Sequence, residues 1–386
     1  MENKRNFIRN RLAVLAAFFI NGAIFATWSS RIPAIQTKLV LSDAALGVVL
    51  LGLPAGLLTA LVLVSRWIAK YGSRKVVLAM ALLSATSLPI LAIAPNPPLL
   101  FIALFFFGGG LSGMDVAMNE QAVLVERNAG KPLMSSFHAG YSIGGFAGAL
   151  LSAGLIAIPI FTPWWHFTTS AILYGIFAVF ANNALISTDT RDVGQEPVFQ
   201  VPDRALWVLG AIALASALGE GASADWSAVF LSQVLLANAS IAALGFAAFS
   251  LTMTAGRIIG DWLTAKLQPA GIVRLGGLLS SLGFILVLLA PNPLLAIIGF
   301  SLAGLGLSNI IPVLFSVAGN HPGFSPGAAI AGVATIGYIG FLVGPPLIGS
   351  VAELSSLRTS FMLVAITAAT MIFSSIALRK KKGEKL

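Results

Sequence analysis

The sequence predicts an all-α polytopic membrane protein of twelve transmembrane helices arranged as two parallel six-helix repeats. Three observations carry that prediction. Of 386 residues, 57% are hydrophobic and 10% charged, with a mean hydropathy of +0.92, which is more apolar surface than a water-facing fold of this size can hide. The apolar residues fall into twelve runs, each long enough to cross a hydrocarbon core of about 30 Å. The chain also repeats itself. Ala94-Pro95-Asn96-Pro97 and Gly108-Gly109-Gly110-Leu111-Ser112 return as Ala290-Pro291-Asn292-Pro293 and Gly304-Leu305-Gly306-Leu307-Ser308, an offset of 196, and Ser42, Ala44, Ala45, Leu46 and Gly47 return as Ser240, Ala242, Ala243, Leu244 and Gly245, an offset of 198. Copies that run in the same sense imply halves related by an axis along the membrane normal, as in alternating-access transporters.

The spans are expected near 12–34, 44–69, 75–94, 99–124, 134–158 and 167–187 in the first half. In the second they fall near 205–233, 241–265, 272–290, 294–318, 327–350 and 357–378. The domains are accordingly 1–187, a polar linker over 188–204, and 205–386 with its basic tail. Lys4, Arg5, Arg9 and Arg11 precede the first run, which is too long for a signal-peptide core and reads as an uncleaved first span. Pro-Asn-Pro marks the tight turns after the third and ninth spans.

Ionisable groups inside spans are costly unless they face a cavity or a partner, so they locate function. Asp115 lies deep in the fourth span, with Asn119 one turn later on the same face and Ser112 one turn earlier, a stripe of carboxylate, amide and hydroxyl. Merely gluing helices is the alternative role for that carboxylate. His138 and Tyr141 are one turn apart in the fifth span, where the imidazole is either a proton relay toward Asp115 or a hydrogen-bonded structural group. Glu220 and Asp225 interrupt the seventh span as further proton-coupling candidates. The 198 offset relates Trp28 to Trp226, as two aromatic walls of a shared cavity or as two interfacial belt residues. Asp225 also has a reading as a gate with Arg31. Asn21, Asn309 and Tyr338 are polar span residues that either line the cavity or bond neighbouring helices.

The loop Arg66-Trp67-Ile68-Ala69-Lys70-Tyr71-Gly72-Ser73-Arg74-Lys75 resembles the short basic signature of the major facilitator superfamily, with Ala69 at the usual Asp position. The second half supplies Arg257 and Asp261, so Arg74, Arg257 and Asp261 are latch candidates at the inner ends. Asp115-Val116-Ala117-Met118-Asn119 resembles the fourth-helix acidic stretch of the fucose, galactose and glucose proton symporters. With Gln121, Ser135-Ser136-Phe137-His138 and Gly219 to Ser227, it is also similar to a group of uncharacterised bacterial transporters. The resemblance implies the major facilitator fold, a protonation and substrate role for Asp115, and pocket positions at His138 and Tyr141. The symporters' first-helix Asp falls on Ser29, a departure that removes one expected carboxylate.

With the N-terminus inside, 20 of the 23 Lys and Arg residues lie at cytoplasmic ends or tails, and only Arg31, Lys38 and Arg358 lie outside. Topology and anionic lipid thus account for the net charge of +9, and no nucleic-acid partner is implied. The chain contains no Cys and three isolated His, which disfavours a metal site or thiol chemistry. Its glycine runs lie inside spans without a Walker Lys, which disfavours ATP-driven transport or an enzyme. The expected function is proton-coupled secondary transport of a sugar or polyhydroxylated metabolite across a bacterial inner membrane. The protein would be a cofactor-free monomer with protons and lipid as partners and both termini cytoplasmic. Drug or metabolite efflux by proton antiport is the alternative, followed by a non-transporting sensor or lipid-handling protein.

Overall fold

A computed structural model describes residues 2–129, 133–187, 204–319, 321 and 326–378. Among them the regular structure is helical: α1 (Glu2–Ser29), α2 (Ile32–Leu39), α3 (Asp43–Leu50), α4 (Gly52–Tyr71), α5 (Ser73–Ile93), α6 (Pro97–Ala129), α7 (Met134–Ile156), α8 (Pro163–Asn182), α9 (Arg204–Gln233), α10 (Ala239–Ile258), α11 (Gly260–Leu289), α12 (Pro293–Leu307), α13 (Ile310–Gly319), α14 (Pro326–Leu354) and α15 (Leu357–Ser374). These make twelve segments long and apolar enough to cross a membrane. The linker expected at 188–204 falls, up to 203, outside the described residues, as does the basic tail from 379.

Four expected spans are divided between two helices, and proline explains three of the breaks. Pro33 sits in the first turn of α2, Pro54 in that of α4 and Pro312 in that of α13, where a missing N–H is tolerated. None of them can donate to the carbonyl four residues earlier. For Pro312 that carbonyl is Ser308's, and the Arg257 Nε–H takes it over at 3.4 Å. The eighth span continues past Ile259 into α11 and ends at Gln268, whose φ of 59° and ψ of 164° break the helix; the following Pro269 disfavours the α region there.

The chain forms two compact units, one of Met1–Gly194 with Ala228–Ala247 and the other of Gln195–Ser227 with Ala248–Leu386. The repeated glycines are the helix contacts inside each. A Cβ on Gly108 would strike the Leu53 carbonyl, and one on Gly304 the Phe249 carbonyl; a Cβ on Gly110 would meet the Ser84 nitrogen, and one on Gly306 the Ser280 nitrogen. Both partners, like the glycines, are 196 residues apart. In each unit the fourth span of the repeat therefore lies backbone to backbone against the second and the third, the close approach that small residues allow in a bilayer.

Candidate transport site

In the first unit the site is built on α6. Met114, Ala117, Met118 and Gln121 are fully buried at the i, i+3, i+4, i+7 spacing of one helical face. Asp115 points the other way and is exposed, while Asn119 is half-buried. The Asn119 Nδ2 donates to the Asp115 carbonyl at 2.9 Å and to its Oδ1 at 3.2 Å, so one turn of helix orients the carboxylate and leaves its other oxygen without a hydrogen bond from the described residues. Ser112, the third member of the expected stripe, is buried.

Neighbouring helices fix this face. Asn21 of α1 donates from Nδ2 to the Leu111 carbonyl at 2.9 Å, with the Met118 sulfur at 4.0 Å. Its amide bonds α1 to α6 in this conformation. The His138 ring of α7 stands edge-on to Phe18 with centroids 5.1 Å apart. Tyr141 is half-buried, and its backbone lies where a Gly22 Cβ would be, so α7 and α1 touch without intervening side chains.

Trp28 is fully buried between Phe107 and Phe167, at centroid distances of 6.3 and 6.4 Å. It is a core residue of this conformation, because α6 and α8 supply aromatic partners that the repeat offset does not reveal. Ser29, where the resemblance places the missing acid, is also fully buried. Arg31 donates from Nε to the His166 Nδ1 at 3.0 Å and from Nη2 to the Phe161 carbonyl; its guanidinium is thus engaged within the first unit.

The second unit holds the other two span carboxylates on α9. Glu220 is half-buried, and the Ser216 hydroxyl donates to its Oε1 at 3.5 Å. Asp225 is half-buried, and no hydrogen bond or ion pair reaches its carboxylate from the described residues. Trp226 is fully buried, and its indole N–H, like that of Trp28, has no partner among them. Asn309 donates from Nδ2 to the Gly256 carbonyl at 2.9 Å and to Ser308 Oγ at 3.0 Å. With Arg257 on the Ser308 carbonyl, it ties α10 to the break between α12 and α13. Tyr338 is half-buried on α14.

Of the remaining latch residues, Arg74 donates to Ser187 Oγ at 3.3 Å, and the side chain of Asp261 lies outside the described residues. Gln121 belongs to the likeness with the uncharacterised transporters, which gives it no role. It is fully buried, donates to Ser73 Oγ at 2.9 Å and to the Ile186 carbonyl at 2.8 Å, and accepts from the Ile186 N–H at 2.8 Å. It thereby joins the start of α5, the end of α6 and the segment after α8. Its place seven residues after Met114 on the buried face was the available signal. Glu126, on sequence grounds a solvated or latch residue, accepts the N–H groups of Leu133 and Met134 at 2.6 and 2.9 Å.

Residues 13–325 match the family model described as Major Facilitator Superfamily. The chain is 35% identical over 373 residues to an uncharacterised MFS-type transporter of Yersinia pestis, covering 97% of each. It is 30% identical over 377 residues to the membrane protein MosC of Rhizobium meliloti, covering 96% of this chain and 91% of that protein. Among solved structures, the nucleoside transporter NupG superposes with a TM-score of 0.75 at 13% identity over 97% of this chain and all of that one. The superfamily transporter FucP in its outward conformation gives 0.66 at 13% identity over 97% of this chain and all of FucP. The two-copy helical fold, the family match along most of the chain and relatives that align end to end agree: this chain belongs to the major facilitator superfamily, a membrane transporter and not an enzyme.

Proposed function

We propose that this transporter moves a sugar or similar polyhydroxylated metabolite coupled to protons, with Asp115 as the coupling carboxylate. The observation that carries the reading is the exposed Asp115 side chain, held by Asn119 and lying off the buried stripe of α6. A charged carboxylate in a membrane span is expensive. Protonation removes that cost, and a solute hydroxyl bonded to the same oxygens changes it again. Binding of either ligand therefore biases which conformations are populated, and that differential stability is what couples two fluxes. Asp225, unpartnered among the described residues, is the second carboxylate of the scheme and takes the part of the acid missing at Ser29. The nucleoside named for NupG is a base joined to a polyhydroxylated ring, which keeps nucleosides inside the proposed substrate class. The setting is a bacterial inner membrane, by analogy with the bacterial relatives.

Proton movement in proteoliposomes holding wild type or Asp115→Asn tests this against sugar, nucleoside and lipophilic-cation panels. Proton entry evoked by a sugar or nucleoside and reduced by the substitution to the level of empty liposomes is the expected result. A response to the cations alone identifies an efflux antiporter instead, and an undiminished mutant response removes Asp115 from the coupling.

A further inference from the structure

The first unit carries an apolar groove of about 430 Å³ between α5 and α6, within the ~300–1,000 Å³ range of small-ligand pockets. Its walls include Leu83, Ser87, Ile90 and Ile93 from α5 and Ala103 and Phe106 from α6. Its open side is the bilayer-facing surface of two spans, since Ile90, Ile93 and Phe106 are each about half exposed. The hydroxyl of Ser87 donates back to the Leu83 carbonyl at 2.7 Å, which leaves the wall without free donors there.

Divergence between the two copies explains why the groove lies in the first. At this level the second copy has Gly283 and Gly299, and a Cβ on either would collide with the backbone of the other helix. The corresponding residues 196 positions earlier are Ser87 and Ala103, whose side chains prevent so close an approach of α5 and α6. Closer to the membrane centre Gly110 still holds these two helices in backbone contact, so the groove starts beyond that point and runs toward the Pro-Asn-Pro turn.

At the turn end stands a cation. Lys38 donates from Nζ to the Ala92 carbonyl at 2.7 Å and to the Ala94 carbonyl at 3.1 Å, and Ala94 itself lines the groove. An ammonium has three N–H donors. Two are used, the side chain is exposed, and the third has no partner among the described residues. The geometry points to a lipid site: we propose that the groove holds an acyl chain of an anionic phospholipid whose phosphate is bound by Lys38. An acyl chain fits the apolar, bilayer-facing walls, and the cation at the membrane-boundary end supplies the charge complementarity that selects an anionic headgroup.

Native mass spectrometry of the full chain in detergent, titrated with phosphatidylglycerol and with phosphatidylcholine of the same acyl chains, tests the site. Wild type is expected to retain phosphatidylglycerol about fivefold better. Lys38→Gln should abolish that preference, and Lys38→Arg should keep it. Thr86→Phe, a substitution from the exposed side of the groove, should lower retention of both lipids. The proposal is overturned by a phosphatidylglycerol preference that survives Lys38→Gln, by unchanged retention of both lipids in Thr86→Phe, or by displacement of phosphatidylglycerol with excess inorganic phosphate.

Discussion

Single residues in this chain carry loads that their type does not announce. Asn21, on sequence grounds either a cavity residue or a helix bond, makes a helix bond in this conformation. Interhelical hydrogen bonds in membranes contribute about 0.6–2 kcal/mol, so Asn21→Leu is expected to destabilise the protein by about 1 kcal/mol, seen as a lower thermal transition in detergent. The proton response of the purified, reconstituted variant should persist, because the amide faces the Leu111 carbonyl and not Asp115. Val40 shows the opposite balance. It occupies the left-handed region at φ 51° and ψ 46°, which costs an L-residue roughly 1–2 kcal/mol, and its side chain is 90% exposed, so its removal forfeits almost no packing. Val40→Gly should therefore raise the thermal transition by the equivalent of about 1 kcal/mol. A lowered transition would show that the valine contacts lipid or partner groups worth more than the strain.

At the scale of elements, the text repeat and the contact repeat have one cause. Gly108 and Gly110 recur as Gly304 and Gly306 because each pair meets backbone atoms at corresponding positions of the neighbouring helices, where a side chain has no room. Gly110→Val is expected to cost about 1–3 kcal/mol or more as overpacking, visible as loss of the folded, monodisperse protein on size exclusion; wild-type stability of that variant would refute the contact. The same correspondence explains two of the three basic residues expected outside. Lys38 donates to the carbonyls of Ala92 and Ala94, and Arg358 to those of Leu288 and Ala290, carbonyls 196 residues apart at the ends of α5 and α11. A cation at a helix C-terminus is favourable, so both charges have a local role that the inside-positive rule leaves out. Span number and order were legible because length and hydropathy are local. The helix breaks were only partly so: Pro33, Pro54 and Pro312 were visible, but a proline in a first turn and a proline that ends a span look alike until the partner of the freed carbonyl, here Arg257, is seen. The burial of Trp28 was not legible for a related reason, that the repeat offset relates it to Trp226 without saying which neighbours cover it.

For the whole molecule, the repeat told the chain's architecture but not how its compact units are composed. The Ala228–Ala247 segment, the end of α9 and the start of α10, groups with the first unit and not with the repeat that encodes it. Its attachment is specific. Gln233 donates to Gln36 Oε1 at 2.9 Å, and Gln36 in turn donates to Asp43 Oδ1 at 2.8 Å. The Ser240 hydroxyl donates to the Ala153 carbonyl, and Phe25 stands edge-on to Phe246 with centroids 5.7 Å apart. No sequence pattern marks this attachment, since Gln233, Ser240 and Phe246 find their partners 87 to 221 residues away. Each hydrogen bond contributes about 0.5–1.5 kcal/mol net, enough to favour this arrangement and little enough to be released at thermal cost, which is what a transporter of alternating access requires of a clasp. The chain has no native cysteine, so Gln36→Cys with Gln233→Cys introduces a unique thiol pair. Joining that pair with a short, reducible bifunctional reagent is expected to stop substrate flux in proteoliposomes, and reduction should restore it, while either single variant treated alike keeps transporting. Undiminished flux through the cross-linked protein would mean that the end of α9 stays on the first unit throughout the cycle, and the moving boundary would then have to lie elsewhere in the chain.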